Sequence, residues 1–179
     1  MLVERRIRNY QAPLHQYMSG GGKRAIEIAH RRWGKDEIAL AWTFQALTDR
    51  PATYWHCLPQ LTQARKAIWT AVNPHTGKRR IDEAFPVELR EVTNEQEMFI
   101  RFRSQATWQV IGSDTYDSLV GAGVAGIVFS EWALANPSAW GYLSPMMREN
   151  NGWALFITTP RGKNHAYDMY NHARKSDDW

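Results

Sequence analysis

Cysteine is nearly absent: Cys57 stands alone among 179 residues. A disulfide framework and a cysteine-based metal site are therefore excluded, and a reducing compartment fits the chain. Long apolar runs are missing too. None approaches the roughly 20 residues that cross a bilayer, and the start, Met1-Leu2-Val3-Glu4-Arg5-Arg6, has no apolar signal-peptide core. Internal repeats and low-complexity stretches are absent. Neither sign of charge dominates: 22 Lys+Arg face 18 Asp+Glu, a formal +4, which is compatible with a polyanionic partner without requiring one. The histidines at 15, 30, 56, 75, 165 and 172 show no zinc-site spacing. What is present is globular composition, 44% hydrophobic and 22% charged, in a length that suits one domain with a sizeable core. The last residues, Asp177-Asp178-Trp179, carry no helix stop or tail, which reads as a longer chain cut short.

Pattern and punctuation predict the order of elements. Gly20-Gly21-Gly22 breaks the chain before a first central strand over 24–30. The run 36–48, nearly apolar all round, reads as a helix wedged against a sheet. A strand over 53–58 ends at Pro59, and a helix over 61–72 carries Leu61, Ala64, Ile68 and Val72 on one face. Residues 73–86, with Asn-Pro, Thr-Gly and Lys78-Arg79-Arg80, form a polar excursion with turns. The basic triplet reads as a solvated loop, with contact to DNA phosphates as the alternative.

Short strands over 98–102 and 107–111 make a hairpin, and 114–119 is a short helix or turn. The continuous apolar run 124–129 predicts a central buried strand. A helix follows over 138–150, where Pro145 must start, kink or end a segment. Another buried strand covers 153–158, and a last helix, 164–174, takes Asn164 as its cap. The alternation predicts an α/β fold, a mostly parallel sheet flanked by helices with one antiparallel hairpin, in one domain over 1–179 whose first 23 residues lead in. Among the tryptophans, Trp42, Trp69 and Trp108 are expected in the core. Trp33 and Trp132 either pack or line a ligand site.

Three segments carry chemistry. Ala29-His30-Arg31-Arg32-Trp33-Gly34-Lys35-Asp36 joins an apolar strand to an apolar helix. In that setting backbone N–H groups and a lysine cradle nucleotide phosphates. The match to G-x-x-x-x-G-K-[ST] fails at both ends, where Ala29 and Asp36 stand; alone, Gly-Lys after a strand is an ordinary turn. Ile127-Val128-Phe129-Ser130-Glu131 puts an acid at the end of a buried strand, where it can polarise an attacking water and help hold magnesium. Ser130 can offer magnesium an oxygen or hold a metal-bound water. Leu155 to Asn164 ends a third apolar strand in Thr158 and Thr159, hydroxyls that can sense a γ-phosphate; plain turn chemistry is the alternative. In an open α/β sheet ligands bind at the carboxyl ends of strands, and all three segments end there.

Together they resemble the N-terminal ATPase domain of the large terminase subunit of tailed bacteriophages, the motor that pumps DNA into procapsids. The resemblance covers nearly the whole chain. Tyr10-Gln11 with Pro13 is similar to the family's adenine-side glutamine motif, and His30 to Asp36 to its variant Walker A. Pro59 with Gln63-Ala64-Arg65-Lys66 resembles the segment after the second strand, and Gly112-Ser113-Asp114 through Gly121 the stretch before Walker B. Val128 to Ala133 resembles Walker B, and Thr158 to Asn164 the coupling motif.

The resemblance implies a P-loop NTPase fold with ATP as substrate and Mg2+ as cofactor. Nucleotide would meet Gln11, His30, Arg31, Arg32, Trp33, Gly34, Lys35, Asp36, Thr158 and Thr159. Lys35 would contact the β- and γ-phosphates and Glu131 would activate water, with Arg31 or Arg32 as an arginine finger in cis. Asp36, Ser130 and Glu131 would hold the metal. Implied partners are double-stranded DNA, a homo-oligomeric ring, the portal protein and the small terminase subunit, at the procapsid in the host cytoplasm and without a membrane. Two departures touch the metal, Asp36 for a hydroxyl and Ser130 for an aspartate. Val120 stands where some relatives carry arginine. The family's nuclease half is missing, so no nuclease activity is expected of this chain. A helicase-like translocase and a non-hydrolysing nucleotide-binding or structural module are the alternatives.

Overall fold

Continuous apolar strands need cover on both faces, and this chain supplies it from helices. A computed structural model describes residues 7–119 and 123–179. Val120 and Gly121 lie outside them, as does the stretch 1–6. A 3-10 turn, Asn9–Gln11, leads into α1 (Ala12–Ser19), and β1 (Arg24–Ile28) precedes the phosphate-loop candidate and α2 (Lys35–Asp49). β2 (Thr53–Leu58) is followed by α3 (Leu61–Ala64), which runs on as a π-helical turn, Arg65–Trp69, and later by α4 (Arg80–Ala84). Three short strands come next: β3 (Arg90–Asn94), β4 (Phe99–Phe102) and β5 (Thr107–Gly112). β6 (Val124–Ser130), α5 (Ser138–Glu149), β7 (Trp153–Thr158) and α6 (His165–Ala173) complete the described chain.

The seven strands form one sheet in the order β1-β7-β6-β2-β5-β4-β3. The first four pairings are parallel and the last two antiparallel. One core lies where α2, the π-helical turn and α4 cover the sheet, with Leu40, Leu47, Ile68, Trp69, Ile81 and Phe85 against Tyr54, Trp108, Val128 and Leu155. The other lies beneath α5 and α6, with Leu143, Met147 and Ala166 against Trp55, Ile127, Phe129 and Phe156. Trp42, Trp69 and Trp108 are in the first core, as expected.

The mostly parallel α/β architecture and the β4–β5 hairpin agree with the sequence, and Asn164 does cap α6, accepting from the N–H groups of Ala166 and Tyr167. Several elements differ. Strand 24–30 was expected to be central, but β1 stops at Ile28 and is an edge of the described sheet. The helix expected over 61–72 ends at Trp69, with Ala64, Ile68 and Trp69 buried, while Leu61 and Val72 are exposed. The polar excursion contains α4, whose Ile81, Ala84 and adjoining Phe85 are buried. β3 extends the hairpin to three antiparallel strands; its central residues are exposed and polar in part, so no alternation marks it. Pro145 neither starts nor ends a helix: α5 runs through it. The proline removes the N–H that would bond the Gly141 carbonyl, and the Ser144 hydroxyl donates to that carbonyl instead at 3.4 Å.

Candidate nucleotide site

Sheet register assembles the site. Ile28 on β1 lies opposite Thr158 on β7, and Ser130 on β6 lies opposite Ile157. The carboxyl ends of these three parallel strands therefore finish side by side. The loop after β1, Glu131 after β6 and Thr159 after β7 converge on one edge. β7 separates the loop strand from the acidic strand, so Glu131 is two strands away from the phosphate-loop candidate rather than on its neighbour.

A cleft of about 1760 Å³ opens there. Gln11, Arg31, Arg32, Gly34, Lys35, Asp36, Glu131 and Thr159 all line it. His30, Trp33, Ser130 and Thr158 do not line it. His30 is exposed, and its ring meets the Arg31 carbonyl; Trp33 packs on Tyr10 with ring centroids 5.2 Å apart. Ser130 and Thr158 are buried beneath the floor.

The loop is shaped by its backbone and by the N-terminal turn. Arg32 and Gly34 adopt left-handed conformations, φ 66° and 88°. Gly34 is needed twice over, because a Cβ there would lie 2.5 Å from the Arg8 guanidinium and 2.8 Å from the Gln11 amide nitrogen. The Gln11 amide, almost fully buried, donates to the carbonyls of Trp33 and Gly34 at 3.2 Å each. Its own oxygen accepts the Arg8 N–H. The glutamine thus grips the loop whose shape it shares. Lys35 is buried, and its ammonium donates to the carbonyls of Ala29 and His30 at 2.9 and 3.0 Å. Arg31 and Arg32 are exposed, and among the described residues neither side chain makes a hydrogen bond or ion pair.

Glu131, also on the cleft wall, begins a 3-10 turn in a left-handed conformation, φ 54° and ψ 42°, which strains a non-glycine residue by about 1–3 kcal/mol. The turn is pinned from two sides. The buried Thr158 hydroxyl accepts the Ala133 N–H at 3.1 Å, and the His165 imidazole meets the Trp132 carbonyl at 2.7 Å. Trp132 itself is packed between Phe129, Phe156 and His165 rather than facing the cleft.

Asp36 lies at the bottom. Its Oδ1 accepts from the Ser130 hydroxyl at 2.7 Å and meets His56 Nε2 at 3.3 Å. Burial pushes this carboxyl up. The hydrogen bond and attraction of His56, the Ser130 bond and the Arg80 charge outweigh that and leave it below the ordinary aspartate value. Burial likewise raises Glu27 on β1, against the pull of Lys35.

The sequence missed part of the wall. Lys78-Arg79-Arg80, expected as a solvated loop, lines the cleft opposite α2. Arg79 and Arg80 are half-buried, and Arg79 is tied to Asp82 and Glu95. The Ile81, Ala84, Phe85 spacing marks the helical face that brings the triplet inward. His56 was also missed, though a histidine inside the apolar strand 53–58 is a signal, since a buried polar side chain needs a partner.

No family model matches the chain. The large terminase subunits of Thermus phage G20c and Thermus virus P23-45 are each 27% identical to it over 163 residues, 83% of this chain and 33% of each relative. The chain resembles phage large terminases. It spans about a third of the length of the curated relatives it matches. A mutant large terminase ATPase domain from Thermus phage P74-26 superposes with a TM-score of 0.74 at 22% identity, over 94% of this chain and 71% of that one. The large terminase of a thermophilic bacteriophage, solved in complex with ADP, gives 0.57 at 16% identity, over 78% of this chain and 34% of that one. The fold is that of the large terminase ATPase domain.

Proposed function

We propose that this chain is the ATPase domain of a large terminase subunit, hydrolysing ATP with magnesium to drive double-stranded DNA into a procapsid. One observation carries the reading: Lys35 and Glu131 line the same cleft at the carboxyl ends of parallel strands, in a fold shared with terminase ATPase domains.

An ammonium has three donors. Two of Lys35's are held by the loop carbonyls, which fixes the charge at the loop's mouth and leaves one N–H for a β- or γ-phosphate oxygen. The N–H groups at the start of α2 add the positive end of a fifteen-residue helix. Glu131, set by its pinned turn, orients a water for in-line attack on the γ-phosphorus. Arg31 and Arg32, free of protein partners among the described residues, are available to spread transition-state charge, a role worth about 10³-fold or more in rate. Gln11, His30 and Trp33 shape the nucleotide end of the loop, and Thr158 and Thr159 tie the cleft to the turn that carries Glu131. Magnesium, held by Asp36, Ser130 and Glu131, would neutralise charge on the β- and γ-phosphates. The reaction needs positioning and charge stabilisation, with no covalent intermediate.

In this reading the chain works in a homo-oligomeric ring at the portal protein, with the small terminase subunit, in the host cytoplasm. No helix among the described residues is long and apolar enough to cross a membrane. Calorimetric titration with ATP tests the site. The parent binds, and Lys35→Ala weakens binding at least about tenfold, as expected for loss of a buried charge-assisted bond. Equal binding by both proteins places the nucleotide elsewhere and refutes the reading.

A further inference from the structure

The two residues that depart from an ordinary magnesium-binding phosphate loop touch each other. In P-loop ATPases a hydroxyl on the loop helix and an aspartate on the acidic strand hold the metal. Here the residue after Lys35 is Asp36 and the residue before Glu131 is Ser130. The carboxylate is on the helix and the hydroxyl on the strand, and the Ser130 hydroxyl donates to Asp36 Oδ1 at 2.7 Å. We propose that Asp36 and Ser130 are a transposed magnesium seat, in which the carboxylate that the strand ordinarily carries comes from the helix residue Asp36, facing the ion, and the hydroxyl that the helix ordinarily carries comes from the strand residue Ser130, holding that carboxylate from beneath, with His56 as a second residue that positions Asp36. The inference rests on the nucleotide reading above and deepens it.

The donor chemistry fits magnesium, a hard ion that accepts one or two protein oxygens and completes its octahedron with water and phosphate. The pair keeps one carboxylate and one hydroxyl, so the seat's charge is unchanged by the exchange. Two independent losses would have no reason to leave complementary partners in contact. Geometry also leaves an oxygen free. Both donors, Ser130 Oγ and His56 Nε2, meet Oδ1, and no hydrogen bond from a described residue reaches Oδ2. The Asp36 side chain is 26% exposed and lines the cleft. One oxygen is held, and the other belongs to a side chain that lines the cleft.

His56 explains how a helix-borne carboxylate is kept in place. It is fully buried on β2, and its Nδ1 has no partner among the described residues. Burying such a group is unfavourable, and its single side-chain bond goes to Asp36. The contact braces the same carboxylate oxygen that Ser130 holds.

Six proteins decide the matter: the parent, Asp36→Thr, Ser130→Asp, the double substitution, His56→Gln and His56→Ala. ATP affinity is measured by calorimetry in magnesium and in EDTA, with thermal unfolding as the folding control. The parent binds ATP more tightly with magnesium. Asp36→Thr loses about tenfold or more of that gain, in line with the loss of metal-site groups elsewhere. Ser130→Asp sets two carboxylates in contact, so in EDTA it melts below the parent, and magnesium reverses the deficit. The double substitution, with both groups in the ordinary order, recovers the magnesium gain to within about threefold of the parent, the non-additivity expected of a coupled pair. His56→Gln, which keeps an N–H donor, holds the gain, whereas His56→Ala loses it. A double variant no better than the worse single, or an Asp36→Thr protein with its full gain, overturns the transposition. If ATP still binds through Lys35 in that case, the nucleotide reading survives. A parent that binds no ATP removes both.

Discussion

At the residue scale the account rests on a few polar side chains held by buried bonds. Arg90 and Asp82 are the clearest structural pair. The Arg90 guanidinium is buried, bonds the Phe85 and Ile81 carbonyls, and meets Asp82 at 2.8 Å. Burial pushes the Asp82 carboxyl up, but the bonds from Arg79 and Arg90 prevail and hold it below the ordinary value of 3.8. A carboxyl depressed in the folded state stabilises the fold above its unfolded value and loses that contribution as pH falls through the folded one. Asp82→Asn should therefore lower stability at neutral pH by about 1.5–3 kcal/mol, and the gap from the parent in urea unfolding should close below the ordinary aspartate range. A gap that does not change with pH would contradict this. Cys57 supplies a second check. Its thiol is 1% exposed, and burial, helped by Asp114, raises its pKa far above the ordinary value. A thiol reagent should label it only as fast as the protein opens, and immediately in denaturant; rapid native labelling would show that the β2 environment is wrong.

At the element scale, legibility followed pattern strength. The apolar runs of β6 and β7, the largely apolar β2 and the apolar α2 were readable because strands and helices with most of their surface buried leave little else for such runs to be. β3 was not readable, since an edge strand bearing Glu91, Val92 and Thr93 toward solvent has no period to see. α4 was hidden by its charged neighbours, although Ile81, Ala84 and Phe85 carry a helical spacing. That short helix matters because it closes one side of the cleft. Phe85 anchors it: the ring is fully buried, 4.6 Å from Trp108 and 5.6 Å from Phe102 between centroids. Phe85→Ala should cost about 3–5 kcal/mol in urea unfolding. It should also weaken ATP binding in folded protein, because the wall bearing Arg80 loosens. Normal binding alongside the lost stability would mean that α4 is scaffold only.

At the scale of the molecule, the loop residues, Glu131 and Thr159 that line the cleft were named in the sequence, but the basic triplet, His56 and the arrangement of them all were not. Strand order is a long-range property that no local window contains, so the insertion of β7 between the loop strand and the acidic strand, and the edge position of β1, came only from the structure. The Asp36–Ser130 contact spans 94 residues of chain and turned two separate oddities into one. If the chain works in the proposed ring, each site is incomplete in isolation. ATP turnover per chain should rise with protein concentration, and brisk turnover by a dilute monomer without DNA would contradict the ring. The most direct test of the central claim is magnesium-dependent phosphate release from ATP at high protein concentration, beside Lys35→Ala and Glu131→Gln. The account predicts release by the parent and its loss in both variants. Release that survives either substitution would contradict it.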